Sequence, residues 1–403
     1  MYQIHRQTPS KISTIMVVLD AGARAEWGEF NPGIAHMLEH CLFKGTEKRN
    51  WEEIQRELGF IGGNSNAFTS NEMVCYYIST PFENVEAAAD IISDITFNST
   101  IPEEEFLKEV EVVKEEELMY KEDPDSVMWD RFCEEFFSNY LATPVIGTGE
   151  TIAKFTRDEV YAFYKKFYNR DGMLVVLTSP YSQEEGEAIL EKYFGPNDKV
   201  FTRDVKFEQN VYPPSKRINM KKPGLEQAHV QIAYPGLNVG DQDLQSLQIL
   251  SCILGAGMDS RLFTEVREKN GLCYNIGCGS QQFRDAGAFL ISSSTREENI
   301  EKLIGLVNVE LEKLKNHPVT EEELMRAKNK FRANFYSSCE SSYGVAKDLL
   351  VQVFNNRAPI EAIMERLMAV TAEDVMKIAN RIFNHDFSTT VVCVNERAES
   401  SQA

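Results

Sequence analysis

Two similar domains, each of mixed strands and helices, are what this sequence predicts, on three observations. The chain has 403 residues, more than one ordinary core holds and enough for two domains of about 200 residues each. The apolar pattern runs strand, helix, strands, helices and strand, and then starts again. Between the two runs lies KFEQNVYPPSK (206–216), polar, weakly periodic and broken by Pro213-Pro214. The expected boundaries are therefore 1–205, a linker at 206–216, and 217–403.

In the first half, ISTIMVVL (12–19) is β-branched and apolar and reads as a buried strand. Glycines and Asn31-Pro32 mark a loop. A helix then starts near Gly33, carries Ile34, Met37, Leu38, Cys41 and Leu42 at helical spacing, and ends at Gly45. A short helix at 51–58, a turn at Gly62-Gly63-Asn64 and strands within 66–79 follow. Residues 81–97 read as a helix, and Pro102 opens another that runs to about Lys121. Helices near 127–140 and 157–167 precede a strand, MLVVLT (173–178). The second half reads as a strand at 229–233, helices at 241–254 and 261–269, and two strands within 274–294. Helices at 300–316 and 321–337 and a strand at 389–394 close it, and 396–403 is expected to be a disordered tail. The halves share little residue identity, so the duplication is one of structure.

Composition narrows the function classes. Hydrophobic residues at 43% and charged residues at 26% describe a soluble globular chain. No apolar run approaches the roughly 20 residues of a membrane helix. Residues 1–7 carry charge and lack the apolar core of a signal peptide. A net charge of −20 repels phosphate backbones, which argues against a nucleic-acid partner. Eight scattered cysteines without a C-x-x-C pair suit reduced thiols and a cytoplasmic location.

The chemistry sits in IAHMLEH (34–40), which contains H-x-x-E-H. Positions i, i+3 and i+4 share one helical face. His36 and His40 can thus reach one metal ion from successive turns, with Glu39 beside them to reach a water. This is the H-E-x-x-H arrangement reversed. Imidazole and carboxylate are good zinc ligands, and an open position lets zinc activate a water. A third ligand is required, and the helix at 103–117 is rich in glutamate. Phe106, Glu109, Val113, Glu116 and Tyr120 form one stripe at steps of three and four. That stripe favours Glu116 and leaves Glu115 and Glu117 open.

With these residues in view, the chain resembles the insulinase/pitrilysin family, and more closely its short branch of mitochondrial processing peptidase and small bacterial peptidases. The resemblance is carried by GIAHMLEHCLFKGT (33–46), GGNSNAFTSNEMVCYY (62–77), EVEVVKEEELMYKEDPD (109–125) and LGAGMDSRLFTEVREKNGLCYNI (254–276). It implies two similar α+β domains around a chamber, each an antiparallel-rich mixed sheet with helices on one face. It implies His36, His40 and Glu116 as ligands of one zinc per chain, Glu39 as general base to a zinc-bound water, and Glu109 as a supporting glutamate. Asn66, Ala67, Phe68 and Thr69 match the edge strand that pairs with the substrate backbone, a recognition mode with little sequence demand. Arg267 and Tyr274 match a pair that contacts the substrate carbonyl, where a guanidinium and a phenol suit a developing oxyanion.

The activity implied is a zinc-dependent endopeptidase acting on unfolded peptides or leader segments. Both residue sets stand in one chain, which favours a self-sufficient homodimer or monomer over a pair of unlike chains, with a homodimer expected. The alternatives are a non-catalytic core or chaperone-like subunit, and a maturation protease dedicated to one peptide.

Overall fold

A computed structural model describes residues 1–203, 205–206 and 208–396. Of the expected tail, 397–403 lie outside the described residues, as does Phe207 of the expected linker. The chain folds into two compact units. Unit 1 opens with β1 (Tyr2–Gln7), β2 (Ile12–Leu19), α1 (Ile34–Leu42) and α2 (Trp51–Phe60). It continues with β3 (Asn64–Thr69), β4 (Val74–Pro81), α3 (Val85–Phe97) and most of α4 (Glu103–Glu122). The next helix, α5 (Pro124–Phe136), belongs to unit 2. The chain returns to unit 1 for α6 (Gly149–Ile152), α7 (Arg157–Phe167), β5 (Met173–Ser179) and α8 (Gln183–Phe194).

Unit 2 then takes β6 (Lys216–Lys222), β7 (Ala228–Pro235), α9 (Leu244–Gly255), β8 (Cys273–Gln282), β9 (Gly287–Thr295), α10 (Ile300–Asn316) and most of α11 (Glu321–Ser338). After it, α12 (Ser342–Phe354) returns to unit 1, and α13 (Ile360–Ala369), α14 (Ala372–Ile382) and β10 (Thr389–Asn395) complete unit 2. The units thus differ from the expected halves: Lys121–Ala142 packs in unit 2 and Tyr336–Asn356 in unit 1.

The two sheets have the same topology. Unit 1 runs β1-β5-β2-β4-β3 and unit 2 runs β6-β10-β7-β9-β8. In each, one parallel pair at one edge (β1 with β5, β6 with β10) is followed by antiparallel pairings. This is the antiparallel-rich α+β arrangement expected. β1 and β6, YQIHRQ and KRINMKK, went unread because polar side chains dominate an edge strand and blur the apolar alternation.

Alternation across the central strands decides which helix covers which face. In unit 1, Ile15, Val17, Val74, Tyr76, Val175 and Leu177 face the main layer, with Ile34, Leu38, Ile92 and Phe163 among their partners. Met16, Val18, Cys75, Leu174 and Val176 face the other way, onto Ala346, Leu349, Leu350 and Phe354 of α12. Unit 2 repeats the plan, with Ala233, Ala288, Val391 and Cys393 against Met128, Phe132 and Phe136 of α5. The face opposite the main helical layer is therefore not bare: one helix crosses it in each unit. That two-sided cover is why ISTIMVVL and MLVVLTS are buried nearly end to end. Among the described residues, no helix is long and apolar enough to cross a membrane.

Candidate metal centre

Helix α1 buries Ile34, Ala35, Met37, Leu38, Cys41 and Leu42, which fill its inward face. His36, Glu39 and His40 are left on the remaining face, half-buried or lining its edge. The helix start is set by backbone conformation and charge. Gly33 has φ 97°, where glycine alone is at ease, and a Cβ there would meet the Ile146 carbonyl oxygen at 2.4 Å. The buried Glu26 carboxylate accepts from the Gly33 N–H at 3.0 Å and the Ala35 N–H at 2.8 Å. It thereby satisfies two N-terminal donors and sets a negative charge at the positive end of the helix dipole.

Helix α4 supplies the carboxylates. Phe106, Glu109 and Val113 are buried along the expected stripe, but its end differs: Glu117 turns inward and Tyr120 is exposed. Glu117 accepts from the Gly149 N–H at 3.1 Å, Glu115 is exposed, and Glu116 lies half-buried between them. Glu116 Oε2 stands 3.3 Å from His40 Nε2 and 3.8 Å from His36 Nε2. One ligand atom from each of the three lies within 4.8 Å of the others. A tetrahedral zinc with bonds of about 2.0–2.1 Å holds its ligand atoms roughly 3.3–3.5 Å apart. The donor set, two imidazoles and a carboxylate whose oxygen lies near that spacing from each ring, fits the ion.

Glu109 braces the site from behind. Its Oε2 lies 3.2 Å from His40 Nδ1 and its Oε1 lies 2.6 Å from Lys44 Nζ. With Nδ1–H donated to Glu109, His40 keeps Nε2 as the atom toward Glu116. Burial alone would depress the His40 imidazole, but hydrogen bonds to Glu109 and Glu116 outweigh it and hold it at about 9. Burial and the neighbouring His40 push His36 down, leaving it a neutral donor. His36 Nδ1 is buried without a hydrogen-bond partner among the described residues, so only one of the two rings is braced. Burial works to raise Glu109, but His40 and Lys44 pull it below the usual carboxylate range. Replacing Glu109 with Gln is expected to weaken zinc binding by about 10- to 100-fold with little change in folding. Competition against a chromogenic chelator measures this, and parental affinity would remove Glu109 from the site.

Glu39 has a different environment. Burial pushes its carboxyl up, and hydrogen bonding from Thr69 and the charge of His40 pull it back. Thr69 Oγ1 donates to Glu39 Oε2 at 2.6 Å. Thr69 ends β3, which stands at the sheet edge beside β4. Along that strand Asn66 and Phe68 are exposed while Ala67 and Thr69 are half-buried.

Arg267 and Tyr274 belong to unit 2, and they meet there. Phe263–Lys269 winds as a π-helix, a form that often marks functional positions. The Arg267 guanidinium carbon lies 4.4 Å from the Phe263 ring centroid and 5.0 Å from that of Tyr274. Tyr274 is 78% exposed, at a register break in β8 between Cys273 and Ile276. Arg267 is thus half-buried, with its guanidinium over two aromatic rings. Sequence reasoning missed Lys44, Glu26 and the task of the Thr69 hydroxyl. The one available signal was Lys44, a cation four residues after His40.

Comparison with known proteins agrees with this fold. The family described as "Insulinase (Peptidase family M16)" matches residues 3–149, and "Peptidase M16 inactive domain" matches residues 154–331. A Rickettsia bellii protein named as an uncharacterized zinc protease is 32% identical over 393 residues, 94% of this chain and 92% of that one. The Bacillus subtilis protein named uncharacterized zinc protease YmxG is also 32% identical, over 384 residues, with the same shares of each chain covered. In fold, the chain is similar to the crystal structure of a protease from Helicobacter pylori, with a TM-score of 0.89 at 24% identity, covering 97% of this chain and 96% of that one. A Pseudomonas fluorescens structure described as a peptidase M16 inactive domain gives a TM-score of 0.88 at 22% identity, covering 99% and 96%. With relatives at this identity over nearly their whole length, the chain belongs to the insulinase/pitrilysin family of metallopeptidases, peptidase family M16.

Proposed function

We propose that this protein is a zinc-dependent endopeptidase that hydrolyses unfolded peptides. The observation that carries the reading is the meeting of His36, His40 and Glu116 around one position, with Glu39 on the same helical face. Zinc, when bound there, supplies a Lewis acid that polarises a carbonyl and lowers the pKa of water. His36 would give a neutral nitrogen, His40 would give Nε2 once the ion displaces the proton its carboxylate partners hold there, Glu116 would give an oxygen, and Glu109 would orient the His40 ring. Glu39 takes the proton from the attacking water and returns it to the leaving amine. Its burial suits that task, since an upward shift brings a carboxylate's proton affinity nearer neutrality. The uncharged edge of β3, NSNAFT, offers backbone groups to an extended peptide and demands little of its sequence.

The test is cleavage of an unstructured peptide by the purified chain alone. Activity is expected to vanish with a chelator and to return on adding zinc at one equivalent per chain. Cleavage that persists in metal-free protein would overturn the proposal and favour a binding subunit of the same fold.

Arg267 and Tyr274 are assigned to the substrate carbonyl, where a stacked guanidinium and an exposed phenol offer donors to developing negative charge. Arg267→Ala is expected to lower kcat by about 10²-fold with zinc content unchanged. Arg267→Lys is not expected to restore it, because a point ammonium replaces a planar stacking group. Parental kcat in Arg267→Ala would dismiss the assignment.

A further inference from the structure

Thr69 enters the sequence reading only through its backbone, as one residue of an edge strand. Its side chain has a separate task. Along β3 the exposed positions are Asn64, Asn66 and Phe68, and the half-buried ones are Ser65, Ala67 and Thr69. Ala67 packs against the core that includes α1. Thr69, next on that face, places its hydroxyl 2.6 Å from one oxygen of Glu39. A hydroxyl-to-carboxylate bond of that length is of the strong, charge-assisted kind.

The Thr69 backbone is itself held. It pairs with Val74 across the β3–β4 ladder, and the following turn is closed by the Ser70 N–H to the Met73 carbonyl at 2.8 Å. The Ala23 N–H bonds to the Ser70 carbonyl at 3.0 Å and ties the same turn to the loop ahead of α1. The donor is therefore a fixed point, whereas a glutamate has three rotatable bonds. Thr69 also meets the Glu39 carboxylate through its backbone, the smaller of its two contributions, and the hydroxyl is the part that a substitution can remove.

We propose that Thr69 is the positioning residue of the general base. Its hydroxyl holds Glu39 in the one orientation from which the carboxylate takes a proton, leaving the second oxygen for that proton. It does so from the strand assigned to substrate pairing, so the substrate track and the base share one rigid anchor. This rests on the reading of Glu39 as the base.

The experiment uses the zinc-loaded full chain and an unstructured fluorogenic peptide. Thr69→Val keeps the backbone and most of the shape and removes the donor. It is expected to lower kcat by about 10- to 100-fold, with KM within roughly twofold and zinc affinity in chelator competition unchanged. Thr69→Ser, which restores the hydroxyl, is expected to recover kcat to within about threefold of the parent. Parental kcat in Thr69→Val overturns the proposal, as does a loss carried by KM alone, or a serine variant as slow as the valine one. Should thermal melting show Thr69→Val to be unfolded, Thr69→Ala against Thr69→Ser makes the same comparison. Glu39→Gln is assayed alongside. Full activity there would dismiss the base itself, whereas an inactive Glu39→Gln beside a fully active Thr69→Val dismisses only the role of Thr69.

Discussion

Replacing Glu39 with Gln is expected to lower peptide cleavage by about 10²- to 10⁴-fold while bound zinc stays at the parental level. The substitution keeps the volume of the side chain and a carbonyl oxygen to accept from Thr69, which donates at 2.6 Å in the parent. It removes the one function a carboxamide lacks, accepting a proton near neutral pH. The three metal-ligating side chains, His36, His40 and Glu116, are untouched. Elemental analysis for zinc and steady-state kinetics on an unstructured peptide give both readouts from one preparation. Parental turnover would dismiss Glu39 as the base, and loss of zinc would make it a ligand.

A chain cut after Glu208 is expected not to form a stable unit 1, although it keeps every proposed zinc residue. Such a fragment lacks Tyr336–Asn356 and with it α12. Met16, Val18, Leu174 and Val176, each no more than 1% exposed in the intact protein, would face water. At about 1.5–3 kcal/mol for each such side chain, the loss is roughly 6–12 kcal/mol. A whole domain is stable by only about 5–15 kcal/mol. Polar ties vanish as well: the bond between the Thr178 and Ser342 hydroxyls at 2.6 Å, and that from Arg203 Nη1 to the Phe354 carbonyl at 2.8 Å. Calorimetry of the fragment should show no cooperative melt, and a fragment that melts as one transition would contradict the account. Fusing 336–356 to it through a flexible linker is expected to restore folding, because the missing cover returns.

Much of the candidate site was legible because its signals are local. H-x-x-E-H puts three side chains on one face by helix geometry alone, whatever that helix packs against. The strands ISTIMVVL and MLVVLT announce themselves because they are covered on both faces. The choice among Glu115, Glu116 and Glu117 was less legible. An ideal helix places neighbours 100° apart, and the bond that holds Glu117 inward comes from Gly149 at the start of α6, far along the chain. Lys44 is similar, since it lies beyond the end of α1 and meets Glu109 only once α4 is docked.

By itself, then, the sequence determined the helix that carries H-x-x-E-H, the central strands and most of the helices around them, and the face that His36, Glu39 and His40 share. These follow from periodicity, which depends on neighbours a turn away. Only the tertiary structure decided which carboxylate meets the rings, which hydroxyl holds Glu39, and which unit each crossing helix covers. Those depend on burial of one apolar face against another far along the chain, a free energy that no local pattern records.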